Sequence, residues 1–130
     1  MAITYSATVC KVLCDAAVDQ CDVGGIGYVE IQSAASAVLV TLPFAATAFG
    51  GATAAAPSIA TAAAIAPAAA SGGGAGTAAT KFTVNNNAAT LLWTGEAGAA
   101  GSGKEMILDN VNIATGQVVT ISSFTHTQPA

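Results

Sequence analysis

The chain has 130 residues, of which only 8% are charged, and its formal net charge of −4 arises from three lysines, no arginine and seven acidic residues. Binding to nucleic acid through its phosphates needs clustered Lys or Arg side chains, so this composition argues against a nucleic-acid-binding protein. The length suits one domain with a modest core, and we expect residues 1–130 to form a single domain.

Alanine makes up about a quarter of the chain, and each alanine side chain buries little apolar area. Because such a monomer gains limited hydrophobic stabilisation, we expect an oligomer or a subunit docked on a larger partner.

Alanine also accounts for the mean hydropathy of +0.63. The most apolar region, residues 34–70, is interrupted by Ser, Thr, Gly and Pro. No strongly apolar run of about 18 residues remains, so we expect no membrane span.

The first predicted element is a short helix over residues 4–22. Apolar residues recur in it at three- and four-residue spacings, as they do on the buried face of an amphipathic helix. Thr4 or Ser6 would cap its start, and Gly24 and Gly25 would end it. The expected apolar face consists of Val9, Val12, Leu13, Ala16 and Ala17.

Three cysteines, Cys10, Cys14 and Cys21, also lie close to one face of this helix. Three thiols would suit a metal cluster or a redox pair, but helical sulphurs four residues apart make a poor disulfide. The only histidine, His126, is more than a hundred residues away in the sequence. We therefore expect the cysteines to be small buried apolar side chains, and we predict no metal site and no cofactor.

The helix also carries a stripe of carboxylates, Asp15, Asp19 and Asp22. We expect this stripe to be a solvated face or a contact with another subunit rather than an acid–base pair. The other carboxylates are dispersed and show no calcium-loop pattern.

Short strands are predicted after the helix. Residues 27–32 alternate between apolar and polar side chains, and a second strand over residues 38–42 ends at Pro43. Residues 47–76 are rich in Ala, Gly and Thr, which predicts weak short strands within long loops. This segment is the one least able to fold without a partner.

A β-hairpin is predicted from Lys81 to Thr94. Its turn falls at Asn85 to Asn87, since asparagine adopts the left-handed conformations of tight turns. A glycine-rich loop over residues 95–103 follows, and Met106 and Leu108 mark the next strand.

A second hairpin is predicted over residues 110–128. Residues 114–117 form its turn, with Gly116 free to take a positive φ. The alternation slips at residues 122–123, so we expect a bulge that returns Phe124 to the core face.

These elements predict a mainly β protein with a short N-terminal helix. Seven or eight short strands with Gly and Asn turns are typical of a β-sandwich, which we expect to be jelly-roll-like and to span residues 26–128. Trp93 and Phe124 fall within strand patterns, so we expect both to anchor the core rather than to form a ligand platform.

One segment has the spacing of a phosphate-binding loop, from Gly98 to Lys104. However, Glu105 stands where Ser or Thr must hold magnesium, and no helix is predicted to follow. A glycine-rich hairpin loop is the better interpretation.

His126 is the only histidine, and no motif surrounds a nucleophilic serine. The sequence contains no recognisable catalytic set, and we predict that the protein is not an enzyme.

Three segments of the C-terminal half resemble a family of small structural proteins from tailed-phage virions. They are the strand region of residues 76–84, the turn N-V-N-I-A-T-G-Q-V-V of residues 110–119, and the ending I-S-S-F-T-H-T-Q-P of residues 121–129. The first half is similar in outline, with a helix, two strands and an A-F-G loop at residues 48–50.

This resemblance implies a virion component, and small abundant β-sandwich proteins of this kind often decorate the capsid. The function it implies is that of a capsid decoration, or cement, protein on the outer surface of the shell, made in the host cytoplasm. Its partner would be the major capsid protein, and the protein itself would form a homotrimer. Either the helix or the loops of residues 48–76 would contact the shell. A tail or fibre component and a host-surface binding module remain the alternatives.

Overall fold

The computed structural model describes residues 3–130 and is mainly β, with one short helix before the strands. The predicted sandwich-like fold class is thus confirmed, while the finer jelly-roll assignment stays a prediction. The helix α1 spans Ala7–Asp19 and continues as a 3-10 turn at Gln20–Asp22. The strands are β1 (Tyr28–Gln32), β2 (Val38–Pro43), β3 (Ser58–Thr61), β4 (Ala68–Ala69), β5 (Thr77–Ala78), β6 (Lys81–Asn85), β7 (Leu91–Gly98), β8 (Met106–Leu108), β9 (Asn112–Ile113), β10 (Val118–Val119) and β11 (Ile121–Gln128).

Helix α1 starts at one of its two predicted caps. The Ser6 hydroxyl accepts a hydrogen bond from the Val9 N–H at 3.3 Å, and Ser6 itself is extended. The helix therefore begins three residues later than predicted. Gly24 follows the 3-10 turn with a φ of 79°, in the left-handed conformation that glycine supplies after a helix.

The buried face of α1 contains the cysteines, as predicted, but not the expected apolar face of Val9, Val12, Leu13, Ala16 and Ala17. Cys10, Cys14 and Val18 are fully or almost fully buried, whereas Val9 and Val12 are exposed. Because this helix is apolar on two sides, periodicity could not decide which side packs against the strands.

Seven strands form one mixed sheet in the order β2-β1-β6-β7-β8-β11-β3, in which only β7 and β8 are parallel. Two short ribbons, β4–β10 and β5–β9, accompany it. Ile113 and Val119, one from each ribbon, are fully buried and belong to the same core cluster as the residues of the large sheet. The ribbons therefore share one hydrophobic core with the large sheet, which is consistent with a sandwich-like arrangement.

The first predicted hairpin is confirmed, because β6 and β7 pair antiparallel. Its turn differs from the expectation, since the residue with positive φ is Ala89, at 62°, and no asparagine. Asn86 closes the turn with its side chain, which accepts the Thr90 N–H at 2.9 Å. The left-handed residue thus lies three positions after Asn86, and the Asn86 side chain adds a hydrogen bond to those of the backbone.

The glycine-rich segment after this hairpin was predicted to be a loop from residue 95, but β7 continues to Gly98. Gly95 lies within this strand. Only glycine fits there, because a Cβ would stand 2.5 Å from the Phe82 ring. The connection to β8 is not a hairpin loop either, because β7 and β8 run parallel. Their ladder has only two residue pairs, which is why so short a connection suffices.

The predicted hairpin over residues 110–128 is wrong in its pairing. The turn itself forms, with Gly116 at a φ of 86°, but β9 pairs with β5 and β10 pairs with β4. The Gly116 N–H bonds to the Ala70 carbonyl at 2.8 Å, so the turn is held against the alanine-rich segment. The predicted bulge is confirmed by a register shift between Ile121 and Ser123.

The centre of the core is aromatic. The Phe124 ring lies 4.9 Å from that of Phe82, 5.4 Å from that of Phe49 and 6.4 Å from that of Phe44, measured between centroids. These are all four phenylalanines of the chain. Trp93 is partly buried and extends the cluster through Phe49, at 6.0 Å. Phe124 and Trp93 are thus core anchors, as predicted.

Replacing Phe124 with Ala should lower the free energy of unfolding by about 3–5 kcal/mol, since it leaves a cavity among three other rings. Denaturant unfolding followed by Trp93 fluorescence would measure the change. The control is Leu91→Ala in β7, which truncates a side chain that is 56% exposed and should cost no more than about 0.5 kcal/mol. Equal losses in the two variants would contradict the central role of Phe124.

Candidate docking surface on the N-terminal helix

Helix α1 presents an apolar surface that nothing in the described chain covers. We call Val9, Val12, Leu13 and Ala16 the outer face. Val12 is 61% exposed, and the other three side chains are also exposed. Residues three and four positions apart lie on one side of a helix, so the four form a continuous stripe. An apolar stripe of this kind usually packs against another element.

The opposite, inner face of α1 is fixed to the C-terminal strand. The Cys14 thiol donates to the His126 carbonyl at 3.7 Å, and the Cys10 thiol donates to the Pro129 carbonyl at 3.6 Å. Val18 adds a side chain that is 2% exposed. These contacts determine which side of the helix packs inward, and they leave the outer face toward solvent.

The cysteines behave as the core residues that the sequence predicted. Cys10, Cys14 and Cys21 are fully buried and free. Burial raises the pKa of Cys14, and it raises the pKa of Cys21 to about 12, so both thiols stay protonated and unreactive near neutral pH. In residues 3–130 no three His, Cys, Asp or Glu side chains are grouped as a metal site would need.

Two of the three helix carboxylates hold the alanine-rich segment in place. One oxygen of Asp15 accepts the Ala52 N–H at 2.7 Å, and the other pairs with the Lys11 ammonium at 2.7 Å. The Asp22 carboxylate accepts the Ala48 N–H at 3.1 Å. The Lys11 hydrogen bond, with help from the Ala52 N–H, lowers the pKa of Asp15.

The prediction of a solvated acidic stripe therefore holds for Asp19 alone, which is exposed. Asp19 lies seven residues after Val12 and so at the edge of the outer face. One lysine and three aspartates give the helical segment of residues 7–22 a net charge of −2. Of these charges, the exposed carboxylate of Asp19 is the one at the margin of the apolar stripe.

His126 lies close to the helix cysteines in space, although sequence separation argued otherwise. Its carbonyl contacts Cys14, but its ring packs at a tilt of 52° against that of Trp93, with centroids 4.7 Å apart. Burial lowers the pKa of His126, so the imidazole is neutral at neutral pH. The ring therefore contributes to packing, while the neighbouring Trp93 Nε1 is buried without a partner among the residues described.

A charged cleft of about 580 Å³ lies where the phosphate-loop-like segment ends. Its charged lining consists of two lysines and two glutamates, and Lys104 pairs with Glu96. Lys81 donates to the Ser36 hydroxyl at 2.5 Å, and burial together with the charge of Glu96 raises the pKa of Glu105. The lysines are engaged and the local charge is balanced, so the cleft lacks the free positive charge of a phosphate site.

Within residues 3–130, no helix is both long and apolar enough to span a bilayer. Comparisons of the chain with protein-family models, with curated proteins and with solved structures gave no match. The resemblance to tailed-phage structural proteins therefore stays a prediction that rests on the sequence motifs.

Replacing Asp15 with Ala should weaken the docking of α1, because the Ala52 N–H loses a charged acceptor, typically worth about 1–2 kcal/mol. The rate at which a thiol reagent labels buried Cys14 under native conditions should then rise roughly 5- to 30-fold. Asp19→Ala is the matched control, since it removes the same charge from the same helix at an exposed position, and it should change the rate less than about twofold. Similar labelling rates for both variants would contradict this role of Asp15.

Acidification should destabilise the protein in part through His126. Its pKa in the folded state lies below the usual value of 6.5, so the unfolded chain binds more protons as the pH falls through 6.5. Stability that is present above pH 6.5 is thus lost progressively on acidification. Unfolding free energies at pH 7.5 and 5.5 would show a smaller loss in His126→Gln than in the wild type, and equal losses would assign the effect to other groups.

Proposed function

We propose that this chain is a structural virion protein of a tailed bacteriophage, a capsid decoration or cement protein that binds the outer shell between capsomers. The motifs of residues 76–84, 110–119 and 121–129 suggest the virion family. The observation that carries the proposal is the outer face of α1, an exposed apolar surface on a chain with only 8% charged residues.

The composition favours close packing against a large partner. Charged groups are expensive to desolvate in an interface, and a chain with few of them avoids much of that cost. The alanine-rich segment of residues 47–76 exposes many small side chains, which let two backbones approach closely. Both features suit a subunit that lies flat on another protein.

The proposed work is mechanical. Contacts that bridge neighbouring capsomers oppose expansion of the shell under the pressure of packaged DNA. Because the protein binds the intact shell and not its separated parts, each bound copy shifts the equilibrium toward the intact shell by mass action. A homotrimer would fit threefold positions between capsomers, with the major capsid protein as partner.

Adding the purified protein to shells of the same virus prepared without it should raise their disruption temperature until the binding sites are filled. Light scattering during a heating ramp would measure this temperature. Shells that already carry the protein are the control, because their sites are occupied and their disruption temperature should not change. No increase in the undecorated shells would refute the cement function.

Copy number separates this function from the alternative of a tail or fibre component. Quantitative mass spectrometry of purified virions should give a number of copies close to that of the major capsid protein. A few copies per particle would favour the tail, and absence from virions would reject the virion assignment.

A further inference from the structure

We propose that residues 3–6 of one copy of the chain, which we call the arm, add a strand to the large sheet of a second copy. The strand would lie in a gap between β7 and β11, which we call the slot. Such an exchange would join copies of the chain whether or not they bind a capsid.

The slot exists because β8 is shorter than the strands on both sides of it. β7 and β11 have eight residues each, whereas β8, which pairs with both, has three. Its first residue, Met106, lies opposite Ala97 of β7 and Phe124 of β11. Glu105 adds one more bond, since its carbonyl accepts the Thr125 N–H at 3.1 Å. Beyond that point residues 91–95 of β7 and 126–128 of β11 have no strand between them, which leaves room for one strand.

The loop that leads into β8 does not fill the slot. The side chains of Ser102 and Lys104 lie where a Cβ on Gly98 would point, and the Lys104 Cγ would be 2.8 Å from it. A Cβ points away from the plane of its sheet, so the loop crosses the face of β7 and not its edge. Lys104 is held over that face by its ion pair with Glu96.

Both borders of the slot turn backbone groups toward it. The Ala97 N–H bonds to the Thr80 carbonyl on β6. Backbone groups alternate in direction along a strand, so Thr94, three positions earlier, faces the slot. In β11, Thr125 bonds toward β8, so Thr127, two positions later, faces the slot as well. Both threonines are exposed, and neither backbone is bonded on this side to any residue described. An inserted strand would therefore find unpaired groups on both sides.

Two aromatic rings close one face of the slot. Trp93 of β7 and His126 of β11 reach toward each other until their ring centroids are 4.7 Å apart. The Trp93 Nε1 is buried and lacks a partner among the residues described. Buried donors are rarely left unpaired, and a strand in the slot would bring backbone carbonyls close to this one.

The arm has the composition of such a strand. Its sequence, Ile3-Thr4-Tyr5-Ser6, alternates apolar and polar side chains and is rich in the residues that favour strands. All four residues are exposed, Ile3 by 75%, and Ser6 is extended. In the slot, Ile3 and Tyr5 would lie on the same face and cover the two rings, while Thr4 would point outward.

The position and the charge of the arm favour a second copy as its destination. The Cys10 thiol contacts the Tyr5 carbonyl at 3.8 Å and the Pro129 carbonyl at 3.6 Å. The arm therefore leaves the helix beside the end of β11, where the slot opens, and copies that exchange arms there can close a ring. Neither the arm nor residues 91–95 and 126–128 contain Lys, Arg, Asp or Glu, so copies with a net charge of −4 meet here without opposing carboxylates.

The test measures association of the full chain by sedimentation equilibrium. Trp93 is the only tryptophan, so its emission reports on the slot. The wild type should form a closed oligomer, and its emission should shift when dilution dissociates it. Thr4→Pro removes an N–H from the middle of the arm and should weaken association at least about tenfold. Thr4→Ala is the matched control, because it shortens the same side chain but keeps the N–H, and it should associate like the wild type.

Thr94→Pro makes the same change on the border of the slot. Because the Thr94 N–H has no partner in the single chain, this variant should weaken association as much as Thr4→Pro does. Thermal unfolding checks that it still folds, and the arm variant remains decisive if it does not, since the arm lies outside the folded sheet.

A wild type that stays monomeric at about 1 mM would overturn the inference, as would an oligomer that Thr4→Pro leaves intact. A monomer whose Trp93 emission changes with Thr4→Pro would place the arm in its own slot. A monomer whose emission changes only when shells are added would assign the slot to a strand of the shell. Both results contradict exchange between copies, and neither decides the cement function, which the heating of undecorated shells tests.

Discussion

The structure depends on the packing of β11 against the aromatic core. Phe124 places its ring among the other three phenylalanines, while the backbone of β11 pairs with β8 through its first half and with β3 through its second. The His126 carbonyl, also in β11, accepts a hydrogen bond from the Cys14 thiol of the helix. One strand thus joins the large sheet, the ring cluster and the helix, in a chain whose many alanines contribute little burial of their own.

Attachment of α1 to that strand is what creates the candidate docking surface. Cysteine is small enough to let the helix lie close to the strands, and its thiols donate to the His126 and Pro129 carbonyls. Val18 joins the cysteines on the inner face, whereas Val9, Val12 and Leu13 lie on the outer face.

Local features of this fold could be predicted from the sequence, whereas pairings between distant segments could not. The cap at Ser6, the left-handed Gly116 and the bulge before Phe124 follow from short-range stereochemistry. Alternation indicated that residues 110–119 form strands but carried no information on their partners, β5 for β9 and, in the alanine-rich segment, β4 for β10. The outer face was recognised as apolar yet assigned to the core, because periodicity reports that a face is apolar and not what covers it.

The thiol contacts between α1 and the end of the chain also bear on how the protein folds. They join residues 112 and 119 positions apart, so the inner face of the first helix completes its contacts only when the last strand is in place. Closing such long loops before any contact compensates for the lost chain entropy makes folding slow, as in other proteins dominated by non-local pairing. Until then the cysteine-bearing side of the helix lacks its contacts with β11, which leaves apolar surface open to association with other chains.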